Sequence, residues 1–156
     1  MSNDRIKVLY DTDIGSDIDD AVALAYLLAQ PRCDLLGITT VSGQPIERAK
    51  LASAICKTVG VDIPIIPGHY DRLDGPTRQP DVPQKSVLPN WEHDTLFSDQ
   101  GAVEFMAEII RDNPNEVAIL AVGPMTNVAR LFIEHPDTVL LLRSLDMMSG
   151  RFSNST

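Results

Sequence analysis

The chain has 156 residues, 44% of them hydrophobic and 22% charged, the make-up of one globular domain with a real core. Its formal net charge of −9 lacks the basic footprint that phosphate backbones and anionic lipid surfaces require, which argues against nucleic acid and membranes as partners. No apolar run reaches the roughly 20 residues that span a bilayer, and the opening "MSNDRIKVLY" carries no secretory pattern, so a cytoplasmic protein is expected.

The first apolar, β-branched run, residues 6–11 ("IKVLYD"), predicts a strand. Directly after it, "YDTDIGSDIDDAVAL" places Asp11, Asp13, Asp17, Asp19 and Asp20 within ten residues, and a helical pattern follows over residues 19–30, closing at Pro31. A second strand is predicted over 33–41 ("CDLLGITTV") and a second helix over 46–59, with Gly60 as its stop. Cys33 and Cys56 sit in apolar contexts without metal-ligand spacing, which reads as buried reduced thiols.

Residues 67–99 break the pattern with Pro67, Pro76, Pro80, Pro83 and Pro89, too long and irregular for an ordinary connection. This excursion is either a lid or pocket wall, with Trp91 and His93 as substrate contacts, or a surface loop anchored by one tryptophan. Beyond it come a helix over 102–111, a strand over 116–122 ("EVAILAV"), a helix over 125–134 and a late strand over 142–148. Strands apolar at nearly every position and separated by helices predict a mostly parallel sheet covered on both faces, a doubly wound, Rossmann-like α/β domain.

In such a sheet ligands bind beyond the carboxyl ends of the strands, where Asp11 and Asp13 fall. Asp19 and Asp20 fall at a helix start, where carboxylates act as caps and complement the dipole. Capping accounts for one or two acids and not for five, because clustered carboxylates repel and raise one another's pKa. Few lysines or arginines lie within the segment, so a bound cation is the simplest neutraliser, and oxygen ligands select a hard ion such as Ca²⁺ or Mg²⁺ over zinc. His69, His93 and His135 are scattered, and the spacing departs from an EF-hand loop.

Three blocks, "DTDIGSDIDDAVAL", "GITTVSG" and "AVGPMTNVA", occur in that order. Together they resemble the nucleoside hydrolases of the inosine-uridine-preferring type, in the variant whose acidic motif carries two additional residues. The resemblance runs from Lys7 to about Gly150. It implies the nucleoside hydrolase fold and a Ca²⁺-dependent N-glycosidase that cleaves ribonucleosides into ribose and free base, a homo-oligomer serving purine and pyrimidine salvage. Carried over to this chain, Asp13 is a calcium ligand and the base that activates the attacking water. Asp20 is the second carboxylate ligand, the carbonyl of Val122 completes part of the shell, and Asp11 supports them. Asp19 accepts hydrogen bonds from the ribose hydroxyls, and Gln44 and Met148 bind substrate. Thr126 and Asn127 lie in a tight strand-to-helix turn, where helix capping is the reading taken. Acid-rich sites suit this chemistry, because glycosidic cleavage develops positive charge on the sugar.

Two features depart from the family pattern. Gln44 stands where the family has asparagine or an acid, which leaves the nucleobase open. The family's chains are also about twice as long, and their other half brings the ribose-gripping asparagine and glutamate, a further calcium aspartate and the histidine that protonates the base. The resemblance therefore implies that residues 1–156 are the N-terminal portion of a single nucleoside hydrolase domain, weakly active or inactive alone. Two alternatives stand beside it. One is a non-catalytic ribose- and calcium-binding fragment. The other is a phosphatase of the haloacid dehalogenase type, suggested by "VLYDTD", although that pattern wants threonine or valine where this chain has Gly15.

Overall fold

The computed structural model describes residues 5–149; residues 1–4 and 150–156, the two ends of the expected unit, lie outside the described residues. Five strands, β1 (Ile6–Thr12), β2 (Cys33–Thr40), β3 (Ile65–Pro67), β4 (Val117–Ala121) and β5 (Ser144–Met147), form one sheet in the order β3-β2-β1-β4-β5 with every pairing parallel. Helices α1 (Asp19–Ala29), α2 (Pro45–Thr58), α3 (Ala102–Asp112) and α4 (Thr126–Glu134) connect them. The doubly wound α/β expectation holds.

Alternation along β1 shows why the central strands are apolar at nearly every position. Leu9 packs on one face with Phe105, Met106 and Ile119 beneath α3 and α4. Its neighbour Tyr10 packs on the other face with Leu24, Ile38 and Ala52 beneath α1 and α2, because successive side chains of a strand point to opposite sides. Fully buried side chains such as Leu9, Ile38 and Ile119 each stabilise the fold by roughly 1.5–3 kcal/mol relative to exposure. Proline sets two helix boundaries. Gln30 leaves α1 in an extended conformation ahead of Pro31, as a residue before proline must, and Pro45 occupies the first turn of α2.

Two expectations need correction. The strand β3 is an addition to the expected set: it is three residues long, preceded by Pro64 and ended by Pro67, too short to give a periodic signal, and it forms because β2 offers it a partner. The excursion is also not wholly irregular. A 3-10 helix over Pro83–Asn90 buries Leu88 against Val82, Leu51 and Ala54. Farther on, Asp94 is fastened to α2 by Ser53 Oγ at 2.8 Å and Lys57 Nζ at 2.8 Å.

The strand order reverses at β1, since the chain winds through β2 and β3 on one side and through β4 and β5 on the other. This leaves a crevice beyond the carboxyl ends of β1 and β4, the place where α/β sheets of this kind bind ligands.

Candidate active site

The crevice is a cleft of about 460 Å³ whose walls include Asp13, Asp17, Asp19 and Asp20 from the acid loop and Val122 to Met125 from the β4–α4 turn. The two segments are held together by backbone. Val122 N donates to Asp11 O at 2.9 Å and Met148 N to Ala121 O at 2.9 Å. At Gly123 a side chain is excluded, because a Cβ would stand 2.7 Å from Asp13 N and 3.0 Å from Thr12 C. Gly15, with φ of 108°, turns the acid loop back, and a Cβ there would meet Val82 Cγ1 at 2.5 Å.

Of the residues expected at the site, Asp13, Asp19, Asp20, Val122 and Met148 line this cleft. Asp11 lies behind it, fully buried, with Oδ1 accepting from Thr39 Oγ1 at 2.6 Å and Asn127 Nδ2 at 2.8 Å. Gln44 is not on the lining. It takes a left-handed conformation, its Nε2 donates to Pro80 O at 2.8 Å and its Oε1 accepts from Lys85 Nζ at 2.6 Å. Trp91 and His93 also stand elsewhere, Trp91 over an apolar groove between α1 and α2 and His93 against the Trp91 carbonyl. The part of the excursion that does reach the cleft is Arg72 and Thr77 to Gln79.

The capping readings are not what the side chains do. The residue preceding α1 is Ile18, without a side-chain cap, and α4 likewise begins without one. Asn127 instead turns inward. It bonds Asp11 and the Thr40 carbonyl through Nδ2 and accepts from His69 N through Oδ1, so one amide ties together β1, β2, the residues after β3 and α4.

Burial dominates the electrostatics. It lifts the Asp11 carboxyl to about 6 against the bonds from Thr39 and Asn127, and lifts Asp13 to about 6, with the Asp20 charge adding and Arg48 opposing. Asp20 is raised by burial too, although Thr12 Oγ1 donates to its Oδ1 at 2.5 Å. On the exposed side the hydrogen bond between Asp17 and Asp19 raises Asp17 and lowers Asp19. Carboxylates clustered in this way are short of positive charge.

One cation the sequence reading overlooked is Arg48, fully buried beneath the acid loop. Its signal was present: 48, 52 and 56 are successive positions on the buried face of α2, with Ala52 and Cys56 as neighbours. An arginine on an apolar helical face requires partners, and Arg48 finds them in the loops around the cleft.

The donor set fits a hard cation. Asp17, Asp19 and Asp20 each offer a carboxylate oxygen, all within 4.8 Å of one another, and Asp13 lines the same cleft outside that closest group. Asp17, assigned no individual role from sequence, is a member of that group. Oxygen-only donors of this kind suit Ca²⁺ or Mg²⁺ rather than zinc. None of the three histidines lines the cleft: His69 contacts Asn127, His93 contacts Trp91, and His135 contacts Glu104. Among the described residues no helix is long and apolar enough to cross a membrane.

The family described as inosine-uridine preferring nucleoside hydrolase matches residues 8–156. A probable uridine nucleosidase 1 of Oryza sativa subsp. japonica is 30% identical over 97% of this chain and 49% of its own length. A pyrimidine-specific ribonucleoside hydrolase RihA of Citrobacter koseri is 31% identical over 93% of this chain and 48% of its own. A solved plant nucleoside hydrolase superposes with a TM-score of 0.84 at 25% identity, covering 94% of this chain and 48% of that one. The chain thus spans about half the length of these relatives. The family match displaces the phosphatase alternative.

Proposed function

We propose, for a chain that belongs to the inosine-uridine preferring nucleoside hydrolase family, that residues 1–156 are the N-terminal portion of one nucleoside hydrolase domain. Its cleft takes part in hydrolysing the N-glycosidic bond of ribonucleosides to ribose and free base. The observation that carries this reading is the convergence of four aspartates on the crevice where the strand order reverses.

Asp13, Asp20 and the carbonyl of Val122 would hold Ca²⁺ in this reading, with Asp17 beside Asp20 as a further oxygen donor. When bound, the ion supplies a positioned water of lowered pKa. Asp13 would take the proton of that water as the water oxygen forms its bond to the anomeric carbon and the bond to the base breaks, its electron pair leaving with the base. Asp19 accepts from the ribose hydroxyls, and the surrounding negative charge stabilises the cationic sugar of the transition state. Asp11 keeps the end of β1 in place. Met148 borders the substrate from the end of β5, and Gln44 acts by bracing Pro80 behind the cleft wall. The same reading makes the protein a cytoplasmic salvage enzyme and a homo-oligomer, supported by exposed Val22 and Tyr26 on α1.

A second reading, a ribose- and calcium-binding fragment without turnover, is favoured by the position of the three histidines away from the cleft. Ribose release from uridine, inosine and p-nitrophenyl riboside, measured with Ca²⁺ and with chelator, decides between them. Calcium-dependent ribose release that Asp13→Asn abolishes supports the hydrolase. Calcium binding without release leaves the fragment, and the absence of both sinks the site.

A further inference from the structure

Arg48 is the only fully buried cation among the described residues, and it lies under a cluster of carboxylates without pairing to any of them. Its hydrogen bonds go to neutral oxygens. Nη1 donates to the carbonyls of Asp13 and Ile14, the latter at 3.1 Å, and to Ser16 Oγ at 3.0 Å. Nε donates to Gly43 O at 2.8 Å, and Nη2 donates to Gln79 O at 3.2 Å and Asp81 O at 3.3 Å. One guanidinium therefore joins the acid loop, the turn after β2 and the excursion.

The five N–H groups of a guanidinium form a rigid fork, whereas a lysine offers three donors on a flexible stem. A fork spent on five main-chain carbonyls and the Ser16 hydroxyl fixes where the chain runs and takes none of the carboxylate oxygens of Asp13 and Asp20. The excursion segment it fixes carries Thr77, Arg78 and Gln79, which line the same cleft as the acids. That wall has a second tether, the 2.7 Å contact between Ser42 Oγ and Thr77 Oγ1.

We propose that Arg48 is a positioning residue that aims Asp13 at the cation and couples cation binding to the ordering of the wall formed by residues 77–81. The coupling rests on the calcium reading above. As a charge, Arg48 opposes cation binding; as a clamp, it favours it. The two roles predict opposite signs, and the clamp is the larger, because a ligand displaced from its direction contributes little to a site that needs several oxygens at once.

The test compares wild type, Arg48→Lys, Arg48→Gln and the exposed control Arg32→Gln by calcium calorimetry and by trypsin cleavage after Arg72 and Arg78. Wild type and the control bind calcium, and calcium slows cleavage after Arg78. Arg48→Lys and Arg48→Gln each weaken calcium binding at least tenfold, and calcium no longer protects the wall. Arg48→Lys retains the charge, so wild-type affinity and protection in that variant overturn the proposal, as does tighter calcium binding by Arg48→Gln. On unmutated protein, nitrogen-15 spectra supply a readout independent of whether the variants fold: the Arg48 Nε–H signal exchanges slowly and shifts on calcium addition. A signal that saturating calcium leaves unmoved overturns the coupling, while wild type that binds no calcium sinks this proposal and the calcium reading together.

Discussion

Asn127 donates a 2.8 Å hydrogen bond to Asp11 across 116 positions of sequence, and the bond is fully enclosed by the sheet. Losing it leaves a buried carboxylate with Thr39 as its remaining hydrogen-bond donor and frees the Thr40 carbonyl as well. Asn127→Ala should therefore lower stability by about 2–3 kcal/mol, the cost of unsatisfied buried polar groups. Asn127→Asp should cost more than the alanine change, since it sets a second carboxylate against the first. Chemical denaturation of the two variants checks the order, and an aspartate variant as stable as wild type contradicts it.

Calcium should raise the melting temperature of the wild-type chain, and Asp13→Ala or Asp20→Ala should remove the response. Linkage sets the scale: about 2.7 kcal/mol at a hundredfold excess over the dissociation constant. Calorimetric scans with calcium and with chelator make the comparison, and a wild-type melting curve indifferent to calcium counts against the site.

Metal-free protein should lose stability between about pH 4 and 6. The Asp11 and Asp13 carboxyls titrate near 6 in the fold against 3.8 ordinarily, so in this window the folded chain holds protons that the unfolded chain has released. Stability from these two groups is present below the unfolded value and falls as pH rises through the folded one. Asp94 and Asp137, lowered by hydrogen bonds from Lys57 and Arg111, act in the opposite direction and only toward more acid pH. Melting in chelator should thus be higher at pH 5 than at pH 7.5, and calcium should shrink the difference. A chelated protein that melts higher at pH 7.5 would show that these carboxyls are not raised.

Among the described residues β5 is a sheet edge, and Ile18 before α1, Val22 and Tyr26 on it, and Trp91 beyond it are more than half exposed. Edges and apolar patches of this kind associate. Light scattering should find a dimer or larger species at micromolar concentration, and Val22→Glu with Tyr26→Glu should reduce it. A monodisperse wild-type monomer overturns this expectation.

Catalysis should depend on the leaving group. Protonation by a placed acid is typically worth 10² to 10⁴ in rate, and no histidine lines the cleft among the described residues. The chain should release ribose from p-nitrophenyl riboside far faster than from uridine or inosine, because nitrophenolate departs unprotonated, and Asp13→Asn should abolish both activities. Comparable rates on natural nucleosides would mean that a group of this chain supplies the proton.

Sequence alone determined the sheet, its parallel pairing and its long helices, because a strand buried on both faces must be apolar throughout and a helix between strands must carry a 3.6-residue stripe. It also located Asp13, Asp19 and Asp20 at the mouth of the sheet, since a carboxylate cluster between two core segments is costly without a ligand. What it left open depends on partners distant in the chain. β3 exists because β2 accepts it, and Asn127 reads as a cap until Asp11 is brought beside it by the pairing of β1 with β4. Gln44 reads as a substrate contact, and Trp91 as either a substrate contact or the anchor of a surface loop, until the excursion is folded, when one braces Pro80 and the other borders the groove between α1 and α2. Arg48 is the sharpest case: its helical stripe shows that it is buried, but its acceptors come from residues 13–16, 43 and 79–81, and only the closure of three loops around one guanidinium decides what it holds.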